Sequence, residues 1–276
     1  MSVATASRPA ARSASEIVDH IRRGGRAVVA LSGGVDSSLV ASLAFEALGP
    51  AATAVTLRGP AVSRSELERA ARVAATIGID HCVLGVDPLA NAQYRENRED
   101  RCYHCRSVET TVLRAFGAHR AVEQYLDGVQ HDDLADERPG LRAMDEAGFL
   151  HPLVWAGWGK SEVRSEAQRR GLPNWDQPSD ACLASRIAHG EPVTAELLAK
   201  VEAAESLLLT QGFRRVRVRV DRGNARIEVD PSELPRLLEE PTASAMLASV
   251  RAVGFRSATI DPRGYHGMSS GLRVVP

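Results

Sequence analysis

The feature that most limits what this chain can become is a buried-looking strand that runs straight into glycines. Ala27 to Leu31 reads Ala-Val-Val-Ala-Leu, a continuous apolar run of the kind found in parallel strands covered on both faces. It stops at Ser32-Gly33-Gly34, and a new helical pattern starts near Ser37. Strand, glycine loop and helix follow one another without a spacer, so free backbone N–H groups at the helix start form an anion site. The loop lacks the Gly-Lys-Ser/Thr ending of a Walker A motif and the G-x-G-x-x-G of a dinucleotide fingerprint.

The same alternation continues. A short helix is expected from Ser15 to Arg23, with Ser15 as N-cap and Gly24-Gly25 as the stop. Residues 51–57 and 81–86 read as further strands, separated by a helix that opens on the capping box Ser63-Arg-Ser-Glu66. Residues 121–126 form another apolar stretch before Asp127-Gly128, and a helix follows from Ser161 to Arg170. Strands alternating with helices imply an α/β fold with a parallel sheet. Beyond about residue 190 the pattern changes to a helix from Thr194 to Thr210, two alternating strands, a helix from Ser232 and a last strand-like run at 257–260. Residues 1–190 are therefore read as one domain and 191–276 as a smaller α+β domain, with 173–190 as the loop between them. No internal repeat is visible.

Composition narrows the class of protein. Hydrophobic residues make up 44% and charged residues 25% of 276, which suits a folded globular chain. Thirty-four basic against 35 acidic residues leave a net charge of -1, which argues against a nucleic-acid-coating surface. No apolar stretch reaches the roughly 20 residues of a membrane helix. The first 15 residues read as a frayed tail. Four cysteines are too few for a disulfide scaffold, and Cys102-Tyr-His-Cys105 has a spacing that favours metal or redox chemistry in a reducing compartment, so a cytoplasmic location is expected. Cys82, inside an apolar strand, is expected to be a small buried hydrophobe. His81, His119, His151 and His189 lack metal-ligand spacing with the cysteines and read as surface or satisfied polar residues, while Trp155 and Trp158 are expected to pack at a domain edge.

Ser32-Gly-Gly-Val-Asp-Ser-Ser38 resembles the pyrophosphate-binding loop of the N-type ATP pyrophosphatases, which cleave ATP between its α and β phosphates. The resemblance implies a Rossmann-like parallel sheet of that type, with Ser32, Gly33, Gly34, Asp36, Ser37 and Ser38 at the ATP site. Glycines let backbone N–H groups approach the pyrophosphate, serine hydroxyls add donors, and Asp36 is the candidate Mg²⁺ ligand. Residues 101–106, 127–133, 137–140, 160–164 and 178–186 add further motifs in order, and over almost its full length the chain is similar to the LarE-type sulfur transferases. That family acts on pyridinium-3,5-biscarboxylic acid mononucleotide during synthesis of the nickel-pincer nucleotide.

The resemblance implies that ATP adenylylates a substrate carboxylate and that sulfur then displaces AMP, leaving a thiocarboxylate. Cys182 matches the sulfur-donor cysteine, with Arg186 favouring its thiolate and Asp127 in support. Cys102, Cys105 and Cys182 look like the ligands of family members that carry a [4Fe-4S] cluster with one open iron. Zinc, a disulfide, and a sacrificial Cys182 that ends as dehydroalanine stand as alternatives. Arg215, Arg217 and Arg219 alternate along one strand and face one side. Of these, Arg217 and Arg219 match the family's arginines for the mononucleotide phosphate. Gln130 and His266 depart from the family pattern, and Arg263 is the candidate substitute for the latter. A homo-oligomer and partner proteins of the nickel-pincer pathway are further implications. The competing function is thiolation of tRNA through an adenylylated base; a non-catalytic nucleotide or iron-sulfur carrier is a third class.

Overall fold

A computed structural model describes residues 11–135, 139–178 and 180–265. Two compact units emerge. The first comprises residues up to Pro88 together with Asp100–Asp180, and the second combines Leu89–Glu99 with Ala181 onward. The division thus falls at Asp180–Ala181 and draws in a piece of mid-chain, where the sequence pattern suggests one boundary after residue 190. Among the described residues no helix is long and apolar enough to cross a membrane.

The first unit begins with α1 (Ala14–Arg23), β1 (Ala27–Ala30), α2 (Val35–Leu48), β2 (Ala52–Arg58), α3 (Arg64–Ile77) and β3 (Asp80–Gly85). The chain then visits the second unit, where it forms the single turn α4 (Ala92–Arg95). It returns for α5 (Arg101–Ala118), β4 (Gln124–Leu126), α6 (Pro139–Glu146), α7 (Pro152–Trp155) and α8 (Lys160–Arg169). The sheet has the order β3-β2-β1-β4 with every pairing parallel. Both faces are covered, which the period of two makes visible. Ala27, Val29 and Leu31 join the cluster built on α1 and α2, whereas Val28 joins Leu113, Tyr125 and Phe149 on the other side. Helix α2 is buried nearly all round, with Leu39, Val40, Ala41, Leu43 and Ala44 all at 0% exposure, so its start is held firmly.

Local signals account for most element ends. Ser63 caps α3 through the expected reciprocal box with Glu66. The cap of α1 is Ser13 rather than Ser15, because only Ser13 stands three residues before a glutamate, Glu16, that can return the hydrogen bond. Cys82 is half-buried rather than buried, since β3 is an edge strand of the sheet. Trp158 is 6% exposed within the core of its unit, not at an edge, and Trp155 stacks on His20 with ring centroids 4.0 Å apart.

In the second unit, α9 (Ala195–Thr210) is capped by Thr194. β5 (Val216–Asp221) pairs antiparallel with β6 (Asn224–Val229), and β6 pairs parallel with β7 (Ser257–Ile260). Between β6 and β7 lie α10 (Leu234–Leu238) and α11 (Thr242–Ala252), the crossover that a parallel β6–β7 pairing requires. Asn97 explains why the mid-chain piece belongs here. Its side-chain amide donates to the carbonyls of Ala188 and Glu191 at 2.8 and 2.9 Å, and its own carbonyl accepts from the Gly190 N–H.

Candidate functional site

The glycine loop sits at the carboxyl end of β1, between β2 and β4. In an open parallel sheet this is the switch point where ligands enter. Gly33 has φ +81, and a Cβ there would stand 3.0 Å from the Ala70 nitrogen and the Glu66 carbonyl oxygen of α3, so any side chain would be both strained and crowded. Gly34 caps α2 in an extended conformation. The hydroxyls of Ser37 and Ser38 both donate to the Gly34 carbonyl, at 3.1 and 2.8 Å, and the Ser32 N–H donates to Ser37 Oγ at 3.2 Å. The serines therefore shape the loop as well as lining it. Gly128, beyond β4, closes the other side, since a Cβ there would lie 2.4 Å from the Ser37 nitrogen.

Two further residues converge on the loop. Lys160, the first residue of α8, places Nζ 2.7 and 2.5 Å from the Asp36 carboxylate oxygens. Burial pushes the Asp36 carboxyl above its ordinary range, and the Lys160 ammonium works against that rise. Asn174 is 3% exposed and donates from Nδ2 to the Gly33 carbonyl at 2.8 Å and to Ser38 Oγ at 2.9 Å. Gln130, also buried, folds its own loop by accepting from the Asp132 N–H at 2.8 Å.

Cys102 and Cys105 lie one turn apart on α5, on one helical face. Cys102 is exposed; Cys105 is half-buried, with Sγ 3.3 Å from Glu109 Oε1. Cys182 belongs to the second unit, immediately before the short turn Leu183–Arg186. Among the described residues no two cysteines form a disulfide. Among the described residues, no group of three or more His, Cys, Asp or Glu side chains stands together in a metal-binding arrangement.

Arg186 is 3% exposed and forms a two-point ion pair with Glu205, Nε to Oε1 at 2.8 Å and Nη2 to Oε2 at 3.0 Å. Its Nη1 donates to the carbonyls of Ala181 and Cys182, so it fixes the backbone that carries the thiol while Glu205 offsets its charge. On β5, Val216, Val218 and Val220 fill the core at 2%, 0% and 1% exposure, and the arginines share the opposite side. Arg215 and Arg217 lie 3.9 and 5.5 Å from the Tyr265 ring. Arg219 donates to the Ser185 carbonyl at 3.0 Å and meets Glu228 at 3.2 Å. Glu228 also takes Arg226 at 3.1 Å, while Asp261 binds Arg226 and Arg263. His266, Glu137, Arg138 and Ser179, which fall within or beside the sequence motifs, lie outside the described residues.

Comparison with known proteins places this geometry. The asparagine synthase family matches residues 15–126, the stretch that holds the loop and the parallel sheet. An uncharacterised protein of Synechocystis is 39% identical over 87% of this chain and 90% of its own length. The pyridinium-3,5-bisthiocarboxylic acid mononucleotide synthase of Lactiplantibacillus plantarum is 32% identical over 87% of each chain. The chain belongs to the LarE family. Like its LarE relatives it is an ATP-dependent sulfurtransferase built on a PP-loop ATP pyrophosphatase domain. A more partial likeness, 30% identity over 65% of this chain and 56% of the other, links it to a tRNA-specific 2-thiouridylase of Xanthobacter autotrophicus.

Within this LarE chain the structure gathers Ser32, Gly33, Gly34, Asp36, Ser37 and Ser38 into one loop, with the Asp127–Gly128 corner against it. It seats Cys182, Arg186, Arg217 and Arg219 in the second unit. Lys160 and Asn174 are additions that residue patterns did not single out as site residues. The Lys-Ser-Glu-Val-Arg run at 160–164 carried a signal for the former. Nothing local marks Asn174.

Proposed function

We propose that this enzyme adenylylates a carboxylate of pyridinium-3,5-biscarboxylic acid mononucleotide and converts it to a thiocarboxylate, a step in nickel-pincer nucleotide synthesis. The observation that carries the reading is the 32% identity to the Lactiplantibacillus synthase, which extends over 87% of each chain. A carboxylate is a poor electrophile. Attack of its oxygen on the α phosphorus of ATP expels pyrophosphate and leaves a mixed anhydride, which a sulfur nucleophile then opens at carbon with AMP as leaving group. The backbone N–H groups at Gly33, Gly34 and the start of α2 would take up charge on the departing pyrophosphate, and Asp36 would help hold its Mg²⁺. Arg217 and Arg219 would bind the mononucleotide phosphate, which would compete with Glu228 for Arg219. The second unit is the candidate substrate and oligomerisation domain.

For the sulfur, the reading assigns Cys102, Cys105 and Cys182 as ligands of a [4Fe-4S] cluster. The donor set supports it, being three thiols outside any disulfide, of which two share a helical face. Such a cluster, when bound, supplies an open iron for a transferable sulfide. Cys182 lies beside backbone that Arg186 and Arg219 hold rigid, which suits either a ligand or a donor. A cytoplasmic homo-oligomer working with proteins that make the substrate and insert nickel completes the reading.

Anaerobic incubation of the enzyme with ATP and the mononucleotide should yield AMP, pyrophosphate and a product heavier by the exchange of oxygen for sulfur. Absence of AMP with that substrate would overturn the reading. Iron and acid-labile sulfide should each reach about four per chain and be lost in Cys102→Ala. Iron-free enzyme that still transfers sulfur, with Cys182 appearing as dehydroalanine by intact mass, would replace the cluster with a sacrificial donor. The likeness to a tRNA 2-thiouridylase supports one second reading, thiolation of tRNA, which predicts salt-sensitive tRNA retention.

A further inference from the structure

Asp127 follows β4 and is 4% exposed, yet its two oxygens are treated unequally. Oδ1 accepts from the Val129 N–H at 3.0 Å and meets His151 Nδ1 at 2.7 Å. Oδ2 is buried with no hydrogen-bond partner among the described residues. On the far side of the imidazole, Nε2 meets Asp145 Oδ1 at 2.8 Å.

A neutral imidazole has one N–H and could serve only one of these carboxylates. Both contacts are hydrogen bonds only when the ring is an imidazolium. The surroundings favour that form. Burial opposes charge on the ring, but the Asp127 and Asp145 carboxylates outweigh it and its pKa is pushed up to about 9. Asp127 faces the ring from the end of β4 and Asp145 faces it from α6, while Arg106 of α5 lies within electrostatic reach of Asp127. The backbone reinforces the arrangement: the Asp127 N–H donates to the Leu150 carbonyl, so the segment bearing His151 runs alongside β4.

The corner held by His151 is the one that touches the loop. Gly128 packs so closely on the first turn of α2 that even a methyl group would collide with the Ser37 nitrogen. A shift at Asp127 is therefore passed to the helix start that presents N–H groups to the phosphates.

We propose that His151 is a positioning residue for the ATP site: as an imidazolium clamped between Asp127 and Asp145, it holds the Asp127–Gly128 corner against α2, and ATP engagement weakens when the ring gives up its proton. The proposal rests on ATP use and is independent of which carboxylate the enzyme activates.

Calorimetric titration of the whole protein with a non-hydrolysable ATP analogue between pH 7.5 and 10 tests it, alongside NMR titration of ¹⁵N-labelled histidine rings. The wild type should lose affinity roughly tenfold as the His151 ring deprotonates, the two curves sharing a midpoint. In Asp145→Asn the exposed carboxylate is removed, and both midpoints should move together to lower pH. His151→Gln should bind weakly at every pH and show no alkaline fall. Three results would overturn the proposal: affinity that stays level through the ring titration, an affinity midpoint that stays put while the ring midpoint moves in Asp145→Asn, or an unchanged alkaline fall in a folded His151→Gln. Failure of the mononucleotide to be adenylylated would leave it standing, whereas a wild type that bound no ATP at any pH would remove it.

Discussion

The glycine loop of the first unit and the arginine strand of the second both present groups suited to anions, and they do so by opposite means. The loop uses backbone N–H dipoles that carry no net charge, so it can be buried against α3 and the Asp127–Gly128 corner with little need for counter-ions. The strand uses full charges, and nearly every guanidinium there has a carboxylate or a ring beside it: Glu228 for Arg219 and Arg226, Asp261 for Arg226 and Arg263, and Tyr265 for Arg215 and Arg217. A dipole site is made by shape, whereas a charge site is made by balance. The first should fail when atoms are added, the second when a counter-charge is removed.

The largest effect should come from the charge site. Glu228 is 1% exposed between two arginines, so Glu228→Ala leaves uncompensated buried charge and should destabilise the protein by about 3–5 kcal/mol. Chemical denaturation would measure it, and an equal loss in Glu228→Gln would show that charge rather than volume decides. Next comes Gly128→Ala, which adds one methyl group at 2.4 Å from the Ser37 nitrogen and should cost roughly 1–3 kcal/mol together with most of the ATP affinity. Unchanged nucleotide binding in that variant would break the claim that the loop works by close fit. Smaller still, Asn174→Ala removes the donor to Gly33 and Ser38 and should cost about 1–2 kcal/mol, read as weaker ATP binding with Glu228-dependent stability intact.

Stability should also depend on pH through the His151 clamp. The folded ring titrates at about 9, above the ordinary value of 6.5, so its contribution is fully present below pH 6.5 and is lost as pH rises through 9. The melting temperature should fall across that interval and fall less in His151→Gln.

Much of the first unit is written locally. Ala-Val-Val-Ala-Leu followed by glycines specifies strand, loop and helix because a continuous apolar run must be covered on both faces and a chain turning at φ +81 needs glycine. The capping box at Ser63 is equally local, and the shift of the first cap from Ser15 to Ser13 shows that the glutamate three residues on is the deciding partner. The residue pattern reads one helix from Ser232, whereas the crossover that returns β7 parallel to β6 holds two, α10 and α11.

The sequence by itself thus determined the parallel sheet, the anion loop, the paired thiols and the alternation that puts arginines on one side of β5. Those features depend on neighbours within a few residues, where backbone geometry and side-chain period act directly. Only the tertiary structure decided that Lys160 meets Asp36 from 124 positions away, that Asn174 braces Gly33 across 141, and that His151 stands between two carboxylates. Such contacts arise when separate elements pack, and no periodicity along the chain records which polar side chains the packing will bring face to face.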